Sequence, residues 1–175
     1  MLIDEGEKWK NTPDDELPVE EIEPFVREQL EKSGIWVPEF ETTRREWFLK
    51  TVDLIRSRFH VTTDFVDRGR AYFSEEYPIE DKALKKNVLK YEGLKTWFPM
   101  LADRLQAIDN FTAEETEKTI RETAEGLDIN VGILTNGTRA VVTGQVAGPG
   151  LFDILIVLGK DKVVDRLRKA VALWE

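Results

Sequence analysis

His60 is the only histidine of the chain, and serine occurs just at Ser33, Ser57 and Ser74. A Ser-His-Asp relay needs a hydroxyl held against an imidazole base, itself oriented by a carboxylate. Ser57 lies close to His60, but that spacing on or just after a helix is far more often coincidence than a relay. His60 is expected as an exposed helix-end residue. Cysteine is absent, which removes thiol catalysis, disulfides and cysteine-ligated zinc. Glu75, Glu76, Glu80 and Asp81 gather carboxylates without the alternating oxygen ligands of a calcium loop, so they read as a solvated turn and no metal ligand is assigned. Gly148-Pro149-Gly150 would let backbone N–H groups approach an anion, yet it is too short for a phosphate-binding loop and no Gly-Lys-Ser/Thr follows. The plain expectation there is a tight turn before a helix. No catalytic residue is assigned.

The remaining candidates for chemistry are arginines and lysines, which bind polyanions. A net charge of −9 argues at first against such a partner, but the charge is unevenly spread. Residues 1–40 carry −8, 41–70 carry +2, 71–128 carry −5 and 129–175 carry +2. Two mildly basic stretches opposite acidic ones permit an RNA-facing side, although each alone is as well explained as a solvated helix face. The longest apolar run, Ile154 to Leu158, is far short of the roughly 20 residues a bilayer needs, and residues 1–8 suit neither a secretory signal nor a transit peptide. A cytoplasmic protein without a membrane partner is expected.

Helical spacing positions these cations nearly throughout. Val19, Ile22, Val26 and Leu30 share one face of a first helix, which Pro18 opens and Ser33-Gly34 ends. A second helix is expected from about Thr42 to Phe59, burying Phe48, Val52, Ile55 and Phe59 and carrying Arg44, Arg45, Lys50, Arg56 and Arg58 on its other sides. Thr62 or Thr63 can cap a short segment through Phe73, ended by Tyr77-Pro78. Leu94, Trp97, Phe98, Leu101, Leu105 and Ile108 form another face, with Pro99 expected to kink or divide that helix. Thr112 to Glu115 reads as a capping box, opening a helix with Ile120, Ala124 and Leu127 and with Gly126 near its end. A terminal helix from about Asp161 carries Val163, Leu167, Ala170, Val171 and Trp174 on one face. Residues 139–158 are β-branched and apolar enough for a hairpin by propensity alone.

The run from Ile129 to Trp174 contains Arg139, then Thr143-Gly144, a Gly148-Pro149-Gly150 turn, Leu151-Phe152, Leu158-Gly159-Lys160 and a last helix with Arg166-Leu167. It resembles the C-terminal anticodon-binding region of bacterial-type glutamyl-tRNA synthetases, class I enzymes. Thr51 to Phe59 and Asp64 to Phe73 resemble an upstream segment of the same family more weakly, and Glu7 to Leu17 resemble a remnant of its stem-contact region. Members often have Pro-Leu before the arginine, where this chain has Gly137-Thr138. The resemblance implies an all-α fold of two small helical subdomains, residues 1–80 and 81–175, forming an anticodon-binding helical cage, and short helices in place of the hairpin.

It further implies a monomeric C-terminal fragment, about one third of a glutamate–tRNA ligase that uses ATP and magnesium. Neither the His-x-Gly-His signature nor the Lys-Met-Ser-Lys-Ser type loop of class I synthetases is present, so the reaction would belong to a separate catalytic domain. The partners implied are that domain and the anticodon arm of tRNA-Glu. The family's arginine for the third anticodon base matches Arg58 or Arg56, with Arg58 preferred. Arg139, Thr143, Gly144, Gly148, Pro149, Gly150 and Leu151 match the loop and helix edges around the first two bases, where Leu151 would supply an apolar platform. Lys160, Lys162, Arg166 and Arg168 are candidate phosphate contacts. The rival expectations are a stand-alone helical protein-interaction module and a free-standing tRNA-binding paralogue.

Overall fold

The computed structural model describes residues 17–175 and contains helices and turns but no strand among them. Residues 1–16, and with them most of the expected stem-contact remnant, lie outside the described residues. No described helix is long and apolar enough to cross a membrane. The chain divides into two compact units, Met1–Tyr77 and Pro78–Glu175.

In the first unit, helix α1 (Val19–Lys32) starts after Pro18, with Glu20 and Glu21 in its first turn and Lys32 in its last, the polarity that suits the helix dipole. Its buried face is Ile22, Val26, Gln29 and Leu30. The chain leaves through Gly34 at φ 71°, and Ile35 N–H returns to the Leu30 carbonyl at 3.0 Å. A 3-10 turn (Pro38–Glu41) then precedes α2 (Arg45–Arg56). This helix is shorter than its apolar stripe, because Arg58 and Phe59 are held by turn bonds to the Ile55 and Arg56 carbonyls. Phe59 is nevertheless buried with Phe48, Val52 and Ile55.

Aromatic rings fill this small core. Phe40 stacks on Phe48 with centroids 5.2 Å apart, and Trp36 meets Phe48 edge-on at 5.4 Å. Two single-turn helices, α3 (Asp64–Asp67) and α4 (Arg70–Phe73), close the unit. Neither threonine before α3 caps it as expected: Thr63 sits at the N-cap without a side-chain bond. The Asp64 carboxylate instead accepts the N–H groups of His60 at 2.8 Å and Val61 at 3.3 Å, folding the preceding turn back onto α3.

The second unit opens with α5 (Asp81–Ala83), which widens into a π-turn over Leu84–Leu89. Then come α6 (Leu94–Gln106), α7 (Ala113–Leu127), α8 (Val131–Thr143), α9 (Leu151–Leu158) and α10 (Lys160–Lys169), with a last 3-10 turn over Ala170–Trp174. The apolar stretch 139–158 is therefore the end of α8, a loop over 144–150 and all of α9, and not a hairpin. Asn130 caps α8 by accepting Gly132 N–H at 2.7 Å, and Gly144 ends it at φ 74°. Those end signals and burial against other helices outweigh the β propensity of Val141, Val142 and Thr143.

Helix α6 lies at the centre, packed against α10, α7 and α8. Leu94, Phe98, Leu101 and Leu105 are buried there with Leu134, Ile154 and Leu167. Pro99 does not divide this helix. It falls in the second turn, so the bond it cannot make would go to the carbonyl of Lys95, an exposed residue where water can substitute. The Thr112 hydroxyl accepts Glu115 N–H at 3.2 Å, while Thr112 N–H goes to Asn110, so half of the capping box is made. Asp128, at φ 53°, closes α7 two residues beyond Gly126.

Gly137 explains the departure before Arg139. A Cβ there would lie 3.0 Å from Leu94 and 3.2 Å from both the Asn87 carbonyl and the Phe98 ring. Its absence lets α8 approach the π-turn and α6 closely.

Candidate nucleic-acid interface

Helix α8 and the loop after it bring together most of the residues singled out in the last third of the sequence. From the third turn of α8, Arg139 donates Nη1–H to the Pro149 carbonyl at 2.6 Å and so pins the Gly148-Pro149-Gly150 turn. The buried Thr143 hydroxyl donates to the Arg139 carbonyl at 2.7 Å and accepts Gln145 N–H at 3.1 Å. Gly144 is pressed against the start of this unit: its carbonyl accepts Glu80 N–H at 2.8 Å, and a Cβ would stand 2.1 Å from the Pro78 carbonyl oxygen. The Glu80 carboxylate in turn accepts Val146 N–H at 3.0 Å, so one member of the expected solvated turn is a loop anchor.

Held at both ends, the loop presents its middle. Ala147 and Gly150 are exposed and Gly148 is half-buried. Among the described residues nothing accepts the N–H groups of Ala147, Gly148 or Gly150. Backbone donors fixed in place with no partner suit carbonyl acceptors on a base edge or phosphate oxygens. Leu151 is only 4% exposed and packs into the core, so its side chain offers no face on which a base could stack.

The expected phosphate contacts separate by burial and partner. Arg166 is 5% exposed and donates Nη1–H to the Val142 carbonyl at 2.7 Å, so it closes the C-terminal end of α8 and cannot meet a phosphate. Lys160 donates to the Ile108 carbonyl at 2.6 Å, and the exposed Arg168 pairs with Asp103 at 2.9 Å. Lys162 is half-buried.

In the first unit the two candidate arginines differ sharply. Arg56 is 12% exposed, pairs with Asp53 at 2.7 Å and donates to the Leu17 carbonyl. Arg58 is exposed, and nothing among the described residues engages its guanidinium. Only its backbone is used: the N–H donates to the Ile55 carbonyl at 3.0 Å and the carbonyl accepts from Arg68 at 3.1 Å. At the opposite end of α2 two cations are committed: Arg45 to Glu23, whose hydrogen bonds and charge push the guanidinium still further toward its charged form, and Arg44 over the Trp47 ring at 4.1 Å. Ser57 Oγ faces the Leu54 carbonyl and His60 is exposed.

A family model described as "Anticodon binding domain" matches residues 19–171. The chain belongs to this family. A glutamate–tRNA ligase of Desulfotalea psychrophila is 47% identical over 90% of this chain and 32% of its own length. One from Thermus thermophilus is 32% identical over 89% of the chain and 31% of its length. The chain thus spans about a third of these relatives. A crystal structure of a glutamate tRNA ligase from Elizabethkingia meningosepticum, 23% identical, superposes with a TM-score of 0.73 over 91% of this chain and 30% of that one, a likeness of fold.

Within this anticodon-binding domain, one group of cations escaped the sequence reading. Lys82, Lys85, Lys86, Lys90 and Lys95 are all exposed on α5, the π-turn and the start of α6. The signal was present, but counting charge over 71–128 averaged these lysines with the acidic face of α7.

Proposed function

We propose that this chain is the tRNA-binding part of a glutamate–tRNA ligase and grips the anticodon arm of tRNA-Glu. The ligase reaction, with its ATP and magnesium, belongs to a catalytic domain outside this sequence, and the chain works as a monomer in the cytoplasm. The observation that carries the reading is the contrast between Arg58 and Arg56. One guanidinium is exposed and unengaged among the described residues, while its neighbour is tied into the fold.

An open guanidinium has donors and no acceptor. Cytosine offers it N3 and O2 as acceptors, whereas guanine presents N1–H and N2–H donors at the same place and is rejected. A glutamate anticodon ends in C and a glutamine anticodon in G, so Arg58 would separate the two. The loop at Ala147 to Gly150 supplies amide donors for the other bases, with Arg139 and Thr143 fixing its shape and Gly144 its approach to Pro78. Pro149 contributes its carbonyl to that bracing and Leu151 its place in the core.

Titration of the chain with tRNA-Glu and tRNA-Gln tests the reading. The wild-type chain is expected to prefer tRNA-Glu, and Arg58→Gln to remove most of that preference. Equal binding of both tRNAs before and after the change would sink it.

A further inference from the structure

The cations of the second unit fall into two groups. Six are consumed within the fold: Arg139 by Pro149, Lys160 by Ile108, Arg166 by Val142, Arg168 by Asp103, Arg121 by Glu117 and Lys169 by Asp165. The lysines of 82–95 are different. Lys85 has a loose pair with Asp81 at 3.5 Å, both highly exposed, and Lys90 lies over the Tyr91 ring at 5.3 Å. Among the described residues Lys82, Lys86 and Lys95 have no ion-pair or hydrogen-bond partner. Between 82 and 95 the sequence has five lysines and only Glu92 against them.

Lys82, Lys86 and Lys90 recur every four residues, which sets them along one side of the helix. Ala83 and Val88 are fully buried on the other side, so that side is fixed outward. The π-turn rests on α8, where Gly137 admits the Asn87 carbonyl. Glu80 ties the same segment to Gly144 and Val146. The lysine ridge and the Ala147–Gly150 loop are therefore two parts of one braced surface.

Neighbouring ammonium groups repel one another, and a bound polyanion offsets that repulsion locally. The geometry points to Lys82, Lys86 and Lys90 as a sugar–phosphate track for the RNA strand that passes the Ala147–Gly150 loop. The ridge adds affinity and position; the bases are read elsewhere. The assignment rests on the reading of the chain as a tRNA binder, which names the RNA.

Affinity of the full chain for a tRNA-Glu transcript, and for one with a changed anticodon, is measured over a series of salt concentrations. The K82A/K86A/K90A variant is expected to lower the slope of log affinity against log salt by roughly 2 to 3 and to weaken both transcripts by about tenfold or more. Lys118→Ala, on the acidic face of α7, is expected to change neither. A triple Lys→Arg variant keeps the charges and is expected to keep the slope, even should the alanine variant melt early. An alanine variant with wild-type slope and affinity would overturn the assignment, as would a wild-type chain that binds no RNA. Phosphatidylserine vesicles that bind the wild-type chain as strongly as tRNA, and lose it in the variant, would make the ridge a membrane patch instead. A wild-type chain that shows the slope effect but binds both transcripts equally supports the track and overturns anticodon reading.

Discussion

Arg139 and Pro149 are joined by a 2.6 Å hydrogen bond from guanidinium to carbonyl, ten residues apart in sequence. The arginine that the resemblance marks for the anticodon is thereby a brace for the turn meant to receive it. Arg139→Met, close in length but without donors, is expected to cost about 1.5–3 kcal/mol, the range for a hydrogen bond to a charged group. Amide exchange at Ala147 and Gly148 should quicken in the same variant. Unchanged melting together with unchanged exchange would mean that the turn holds its shape without Arg139.

Two glycines share a left-handed backbone but not their surroundings. Gly34 at φ 71° has open space where a Cβ would go, whereas at Gly144, φ 74°, it would collide with the Pro78 carbonyl. Gly34→Ala should cost about 1–2 kcal/mol from backbone conformation alone. Gly144→Ala must also move backbone and should cost at least about 3 kcal/mol. Urea unfolding of the two variants side by side checks the order, and equal losses would contradict it.

Arg166 separates a structural cation from a binding one. Its guanidinium closes the end of α8 from within the core, so Arg166→Met is expected to lose about 1–3 kcal/mol by leaving the Val142 carbonyl without its donor. The salt dependence of RNA binding should stay as in the wild type. A smaller slope in a variant that remains folded would return Arg166 to the phosphate contacts.

The same distinction applies to Arg56 and Arg58. Arg56→Ala removes bonds to Leu17 and Asp53 at a largely covered site and should cost about 1–2 kcal/mol. Arg58→Ala removes an exposed, unengaged side chain and should stay within about 0.5 kcal/mol of the wild type. Thermal melts decide between them, and a larger loss at Arg58 would show that it has a structural task.

The helices and the faces they bury were legible in the sequence because an α-helix repeats every 3.6 residues, so Ile22, Val26 and Leu30, or Leu94, Phe98, Leu101 and Leu105, must share a side whatever they meet. The stretch 139–158 was not decided that way, since its residues suit strands as well. Asn130, Gly144 and burial among the other helices settled it.

What each cation does was decided only in three dimensions. Whether a guanidinium or ammonium stays open depends on carbonyls and carboxylates within about 3 Å, and for Arg139, Arg166 and Lys160 those partners come from 10, 24 and 52 residues away. Spacing along the chain does not encode such distances. The sequence by itself determined a helical chain rich in arginine and lysine; tertiary packing chose which of them became struts and left Arg58 and the Lys82–Lys90 ridge facing outward.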